Sequence, residues 1–387
     1  MIAFVQPFSI HGPGGGARIL RSLLSAAPIP HLSVCTEPRY EADPSVSDEI
    51  HLPIRPYFGR IEHTRLRRWL GLERVGLWLG ECFEDRLARL CETRGVTVIH
   101  AIPHGIEFWH AFRVAKRRKI PFILNVHDEL DYNLKGHPHL GPALAKLGVV
   151  WRESDQNIVI SNEMGEEYNR RYGQRPFTVI TDGLDTIAPS PRPSIPTRLR
   201  VYMMGSVHLS YERNFDALLA ALKTLHKNGN YEEVRLAVRP GFPFPIDTRG
   251  VDVIEKPWGT QSDVEKDLEE ADLLYLPLPF QAAYDSFVRY SLSTKLVTYL
   301  GTGIPILYHG PEHSAAGHLL GEYEAAVRVS SLDANVIAES ISVDRCPRTR
   351  IAENALALAR SRFMLADQQQ AFWSLVEPST IDIHSLA

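Results

Sequence analysis

The sequence predicts an α/β protein of two domains, each built on a parallel sheet flanked by helices. Three observations carry that reading. The chain has 387 residues, more than one ordinary hydrophobic core accommodates. Short Val/Ile-rich runs alternate with helical periodicity through both halves. Between the halves, four prolines fall within eight residues, Pro189 to Pro196, where neither helix nor central strand can run.

The elements follow in order. IAFVQP (2–7), HLSVCT (31–36), VTVIHAI (96–102), PFILNVH (121–127) and QNIVIS (156–161) read as buried strands. A helix opens with Ala17 and Arg18, its apolar face set by Ile19, Leu20, Leu23 and Leu24. A second helix, 104–118, ends in the basic run AKRRK, which suits a helix C-terminus. Residues 182–198, DGLDTIAPSPRPSIPTR, interrupt the pattern. Beyond them, strands are expected at 200–206, 234–240, 251–257, 271–278 and 304–310. Helices are expected at 214–226, 262–270 and 292–303, then at 333–342, 348–361 and 364–376. The boundaries become a first domain 1–185, a linker 186–198, a second domain 199–362 and a returning C-terminal helix in 363–387. Two such sheets leave a cleft where strand C-termini and helix N-termini can converge on a ligand.

Composition narrows the function. A formal net charge of −4 gives no basic excess for nucleic acid. Four scattered cysteines without CxxC spacing read as reduced thiols. The N-terminus lacks the basic flank of a signal peptide, and no apolar run reaches the length of a membrane span. The expected location is cytoplasmic, with contact at the inner membrane face left open.

Four stretches could carry chemistry. After the first strand comes HGPGGGARIL, with Gly14, Gly15 and Gly16 in a row before a helix. Backbone N–H groups there could approach an anion. The loop lacks the GxGxxG spacing and the GxxxxGK[ST] pattern, so neither a dinucleotide nor a P-loop site is indicated. NVHDELDYN sets His127, Asp128, Glu129 and Asp131 at a strand end, the edge where α/β proteins bind ligands. GSVHLSYERNFDALLAAL sets Arg213 just before a helix, where a cation suits a diphosphate leaving group, with Asn214 as its cap. In SLSTKLVTYLGTG, Ser293 and Thr294 open a helix and Lys295 lies in its first turn. A lysine there opposes the helix dipole, a placement that an anion would explain.

Taken in order and spacing, these pieces resemble a GT-B glycosyltransferase, most closely the GT4-like (glycosyltransferase group 1) retaining family, over nearly the whole chain. GGGARIL resembles that family's first loop, NVHD its strand-end histidine, GSVHLSYERNFDALLAAL the opening of its nucleotide-binding domain, and STKLVTYLGTGIPIL its helix of the form K..EY...G.P. SRFMLADQQQAFWSLV looks like the helix that crosses back. The resemblance implies two Rossmann-like domains with parallel sheets facing across a cleft. It also implies transfer of a sugar from a nucleotide-diphosphate donor to a hydroxyl acceptor, with retention and without a metal or other cofactor. It assigns His127 to the donor sugar and Arg213 and Lys295 to the leaving diphosphate. Gly14, Gly15, Gly16, Gly205, Ser206, Ser293, Thr294 and Thr298 would lie along the donor. Asp128, Glu129, Arg18, Asp285 and Tyr290 are candidate sugar or acceptor contacts.

The sequence departs from the family in three places. Ser206 stands where an arginine usually follows the strand glycine, and Thr298 and Tyr290 stand where the family carries glutamates. Asp285 is a candidate substitute. The alternatives are a non-catalytic sugar-nucleotide-binding or partner protein and an epimerase or phosphorylase on the same fold. The acceptor is a glycan, a lipid-linked glycan or a small molecule. Residues 59–94, with Arg65, Arg67, Arg68, Trp69 and Trp78, form a basic, tryptophan-bearing stretch that could rest on an anionic membrane.

Overall fold

The computed structural model describes residues 1–37, 49–54, 72–134, 140–205, 209–240, 248, 250–342 and 346–376, with backbone only at 72–79 and 209. The chain divides into two compact units, Met1–Asp182 with Ala366–Ala387, and Gly183–Leu365.

The first unit is built on seven strands: β1 (Ile2–Gln6), β2 (His31–Cys35), β3 (Glu49–His51), β4 (Val98–Ala101), β5 (Phe122–Val126), β6 (Gln156–Val159) and β7 (Thr178–Val179). Their spatial order is β3-β2-β1-β4-β5-β6-β7, and every pairing among them is parallel. β1, β4 and β5 are buried at every residue, as strands covered on both faces must be. The order reverses between β1 and β4, the switch point at which open α/β sheets present a crevice.

The helices explain the burial. Helix Gly15–Leu24 buries Ala17, Ile19, Leu20, Leu23 and Leu24. Helix Leu365–Val376 supplies Phe372, whose ring lies 6.1 Å from that of Phe4 and 5.7 Å from that of His100. Trp373 donates its indole N–H to the Leu23 carbonyl at 3.0 Å, tying the C-terminal helix to the first one. Helix Glu107–Arg118 ends on Lys116, Arg117 and Arg118, with Lys119 in the left-handed conformation behind them.

The second unit has six strands: β8 (Arg198–Met204), β9 (Glu233–Arg239), β10 (Asp252–Glu255), β11 (Leu273–Pro277), β12 (Ile306–His309) and β13 (Val327–Val329). They lie in the order β10-β9-β8-β11-β12-β13, again all parallel. Alternation along β8 sends Leu199, Val201 and Met203 into one core and Tyr202 and Met204 into the other. The reversal falls between β8 and β11. Their pairing stops at Tyr202↔Leu274, whereas β8 stays paired with β9 to Met204 and β11 with β12 to Pro277. The Met204 N–H is taken by the Tyr299 hydroxyl at 3.0 Å. A buried phenol thus closes the accounts of the strand end where the ladder parts.

Most strand expectations overshoot by a residue or two, because terminal residues bond to one neighbour only. Three differences matter more. The first helix begins at Gly15 instead of Ala17, so Gly15 and Gly16 are its first turn. None of Gly14, Gly15 and Gly16 has a positive φ, so backbone freedom is not their purpose. Helix Glu212–Lys227 starts two residues before the expected 214 and encloses both Arg213 and Asn214. The proline-rich stretch is laid onto the second unit: Ala188 N–H donates to Gly301 at 2.8 Å and Arg192 N–H to Gly303 at 2.9 Å. Short β3, β7 and β13, and helices such as Leu140–Glu153, Asn162–Tyr172 and Ala315–Glu322, were not marked by the sequence pattern. Arg65, Arg67, Arg68 and Trp69 lie outside the described residues, and Trp78 is described only as backbone of helix Leu72–Thr93. Among the described residues, no helix is long and apolar enough to cross a membrane.

Replacing Phe372 by alanine removes a side chain with no exposed surface. The first unit should lose about 3–5 kcal/mol of stability. Urea denaturation reads this as an earlier transition, and an unshifted midpoint would show that the helix Leu365–Val376 contributes nothing to that core.

Candidate functional site

In the first unit, the polar features collect at the C-terminal ends of β1, β4 and β5. β1 leads through the glycine loop into helix Gly15–Leu24, whose N-terminus has no side-chain cap and no acid in its first turn. A helix start so arranged offers backbone N–H groups and positive potential. A Cβ on Gly14 would meet nothing within 4 Å, so that position is open. One on Gly16 would lie 3.1 Å from Phe8 Cζ and 3.4 Å from His127 Nδ1. Gly16 is therefore needed for close approach, letting the helix settle against the Phe8 and His127 rings.

His127 follows β5 directly and is 4% exposed. Neither ring nitrogen has a hydrogen-bond partner among the described residues. Burial, then the neighbouring His104 and His100, holds its pKa well below the ordinary value. The imidazole is neutral, with one N–H donor and one lone pair, a set that matches an alcohol. His104, just after β4, lies with its ring 6.1 Å from that of His127. Burial lowers its pKa too, against the pull of Asp128, whose Oδ2 is 3.7 Å from His104 Nε2. Buried polar atoms are nearly always satisfied, so the unpaired nitrogens of His127 mark a place for water or a ligand.

The other first-unit candidates are placed differently. Arg18 Nε lies 2.9 Å from the buried carboxylate of Asp182. Glu129 is turned to Arg171 at 3.0 Å, and burial, opposed by that arginine, raises its pKa to about 7. Asp128 remains about one-third exposed beside His104. The structure thus groups Gly16, His127 and Asp128 and commits Arg18 and Glu129 to ion pairs.

In the second unit, the switch-point end of β8 carries the cation. Gly205 follows β8 with φ +84, a conformation that strongly favours glycine, and its N–H donates to the Arg239 carbonyl at 3.1 Å. Ser293 caps helix Thr294–Leu300 by accepting the Leu296 N–H. Lys295, in the first turn, runs past Gly205: a Cβ there would stand 3.4 Å from Lys295 Cε. Its ammonium lies 5.8 Å over the Tyr211 ring. No carboxylate pairs with it among the described residues, and burial alone pushes its pKa down to about 7. An amine so placed at a helix N-terminus suits an anionic ligand.

Several expectations change here. Asn214 does not cap its helix. It is the third helical residue, fully buried, and its Nδ2 donates to the carbonyls of Leu278 and His309 at 3.0 Å each. Arg213 lies inside the first turn, exposed, instead of before the helix. Asp285 opens helix Asp285–Tyr290 and is paired with Arg289 and with His313 at 2.7 Å. It is not a free loop carboxylate. Thr298 donates its hydroxyl to the Thr294 carbonyl at 3.1 Å, and Tyr290 ends the helix before Ser291. Ser206 lies outside the described residues. Sequence reading missed His104, Tyr211 and Tyr299. The first could have been found by applying the strand-end rule to VIHAIPHG, as it was to NVHD. The tyrosines carry no motif that separates them from core residues.

Residues 31–187 match the model of Glycosyltransferase Family 4. No significant match is found among curated protein sequences. Among solved structures, HepE of Anabaena in complex with UDP-glucose shares 14% identity at a TM-score of 0.60, over 96% of this chain and 98% of that one. A trehalose-6-phosphate structure from E. coli, bound with UDP-2-fluoro glucose, shares 13% at 0.63, over 97% and 99%. TarM shares 10% at 0.52 over 72% of this chain, which spans 54% of TarM. The two parallel-sheet units together are the GT-B fold.

Lys295 gives the second unit a pH signature. Its folded pKa, about 7, lies below its ordinary 10.5, so the unfolded state holds the proton more tightly. The resulting penalty on folding is full below pH 7 and fades as pH rises to 10.5. Lys295→Met removes it. The variant should melt above the wild type at pH 6, with the gap closing toward pH 10; a pH-independent gap would mean that the amine does not titrate in that window.

Proposed function

We propose that the chain, which has the GT-B fold, is a glycosyltransferase that moves a sugar from a nucleotide-diphosphate donor to a hydroxyl acceptor, with retention at the anomeric carbon. The observation that carries the donor half is Lys295: a first-turn lysine whose side chain runs past Gly205 and which no carboxylate pairs among the described residues. The sugar-side half draws on His127, neutral and unpaired, which suits a hydroxyl and not a bare anion. Two of the similar structures hold UDP-linked glucose compounds, which supports a uridine diphosphate sugar as the first donor to try.

In this reading, the bond between the anomeric carbon and the diphosphate oxygen breaks, and the acceptor oxygen bonds to that carbon on the same face. The acceptor proton passes to the departing phosphate oxygen, so no protein base is assigned. Lys295 and Arg213 neutralise the charge that develops on the leaving group. Above pH 7 the amine has to take up a proton when an anion arrives, so donor affinity weakens as pH rises. The helix N-terminus at Gly14 to Gly16 serves the acceptor or the donor phosphate. No metal or other cofactor enters the scheme. A lipid-linked acceptor would reach the first unit through the basic stretch 59–94.

A second reading is a protein that binds a sugar nucleotide without turnover. It draws on Thr298, whose hydroxyl is already committed to Thr294 and which replaces an acidic side chain in the resemblance. Hydrolysis of the donor in the absence of acceptor separates the two.

Thermal-shift titration with UDP-, GDP-, ADP- and dTDP-sugars tests the proposal. A donor at 100 times its Kd stabilises by about 2.7 kcal/mol. Lys295→Ala should abolish the shift and lower turnover roughly 100- to 1000-fold. His127→Ala should lower kcat/KM roughly tenfold, as loss of a hydrogen bond to a neutral group does. Chelators should leave turnover unchanged. If no sugar nucleotide shifts the wild type, the donor reading fails.

A further inference from the structure

Successive N–H groups of a strand point to opposite neighbours. At the exit of β8, the Gly205 N–H turns to β9 and donates to the Arg239 carbonyl at 3.1 Å. That side is anchored. Arg239 Nε donates to the buried carboxylate of Asp267 at 2.6 Å, and the same carboxylate takes Lys256 on its other oxygen. The Met204 N–H turns the other way, toward β11, but those two strands have stopped pairing at Tyr202↔Leu274. A buried N–H without an acceptor is costly, and no ladder is left to supply one. The Tyr299 hydroxyl supplies it at 3.0 Å.

Tyr299 stands one turn beyond Lys295 in helix Thr294–Leu300, so the two side chains leave the same helix face. Lys295 runs past Gly205, where a Cβ would stand 3.4 Å from its Cε. Tyr299 fastens Met204, the residue before. One helical turn therefore grips two successive residues of the strand exit, one by packing and one by a hydrogen bond. Gly205 has φ +84, so the chain turns sharply where the lysine passes. Burial pushes the pKa of the Tyr299 phenol upward, so this hydrogen bond stays neutral while the lysine titrates.

We propose that Tyr299 is a positioning residue for Lys295: its hydroxyl holds the exit of β8 against the lysine and keeps the amine recessed where an anion binds. This role rests on the donor reading of Lys295, and Tyr299 itself touches no ligand. Without the hydroxyl, the Met204 N–H needs water, the strand exit loosens and water reaches the amine. Among the described residues, the titratable side chain that faces the amine is Tyr211, whose ring centroid lies 5.8 Å away. Burial alone holds the amine at about 7, so hydration raises it toward 10.5.

Tyr299→Phe deletes the hydroxyl and keeps the ring. Its first readout needs no ligand. The gap in melting temperature at pH 6 between Lys295→Met and its parent should narrow in the Tyr299→Phe background, because a better hydrated amine penalises folding less. The second readout is equilibrium binding of inorganic pyrophosphate. At pH 6 the amine is charged in both proteins, and Tyr299→Phe should bind roughly tenfold more weakly, as a loosened site does. Above pH 7 its affinity should fall less steeply than that of the wild type; the ionisation of pyrophosphate is common to both curves and cancels in their ratio. Tyr231→Phe is the control. It removes a buried hydroxyl bonded to the Ile341 carbonyl at 2.8 Å, beyond the opposite end of β9, and should lower stability without moving either readout. An unchanged gap in Tyr299→Phe overturns the assignment, and so does equal narrowing in Tyr231→Phe, which would show lost stability alone. A gap that narrows only in Tyr299→Phe, with no pyrophosphate bound by the wild type, upholds the positioning and removes the donor reading.

Discussion

A parallel strand leaves its sheet at the end opposite to where its neighbour enters, so each connection must cross the whole face before the next strand begins. When successive crossovers cover both faces, the strand order has to reverse once, and the loops that leave the two strands at that place diverge and open a crevice. Each unit obeys this with its own reversal, β1 beside β4 and β8 beside β11. The candidate groups depend on that constraint. Gly14 to Gly16 follow β1, and His104 and His127 follow β4 and β5. Gly205 follows β8, and Lys295 comes to it from the helix Thr294–Leu300.

Both units pay for their chemistry in the same currency, polar atoms buried without partners. His127 keeps two unpaired nitrogens, and Lys295 an amine that no carboxylate pairs among the described residues. Each such group costs a folded protein of the order of 1–3 kcal/mol. The surroundings offset it. Two parallel sheets with buried central strands, caps at Ser161, Thr260, Ser293, Ser314 and Asp333, and the Asp267 cluster leave a framework that can hold a few groups in reserve.

Much of this was legible in the sequence because its periodicities were pure. The Val/Ile-rich strands and the helix Thr294–Leu300, with its serine cap and first-turn lysine, read correctly from spacing alone. The failures share a cause. The glycine run reads as a backbone approach to an anion, and sequence cannot show that Gly16 also lies against the Phe8 ring. Asn214 reads as a cap because its type is right for one, whereas its partners, the carbonyls of Leu278 and His309, are distant in the chain. Arg18 and Glu129 read as ligand contacts because their ion-pair partners, Asp182 and Arg171, are distant too. β3 and β7 escaped because strands of three and two residues carry too little alternation to see. What sequence lacked for Asn214, Arg18 and Glu129 was the identity of a far neighbour.

Asn214 has a mechanical consequence. One amide group holds two carbonyls, those at which the chain leaves β11 and β12. The two loops that start there are therefore coupled through a single rigid staple, although two helices and a strand separate them in sequence. Neither can be lengthened, shortened or exchanged in isolation without straining the other. A redesign of this rim would have to treat both as one part.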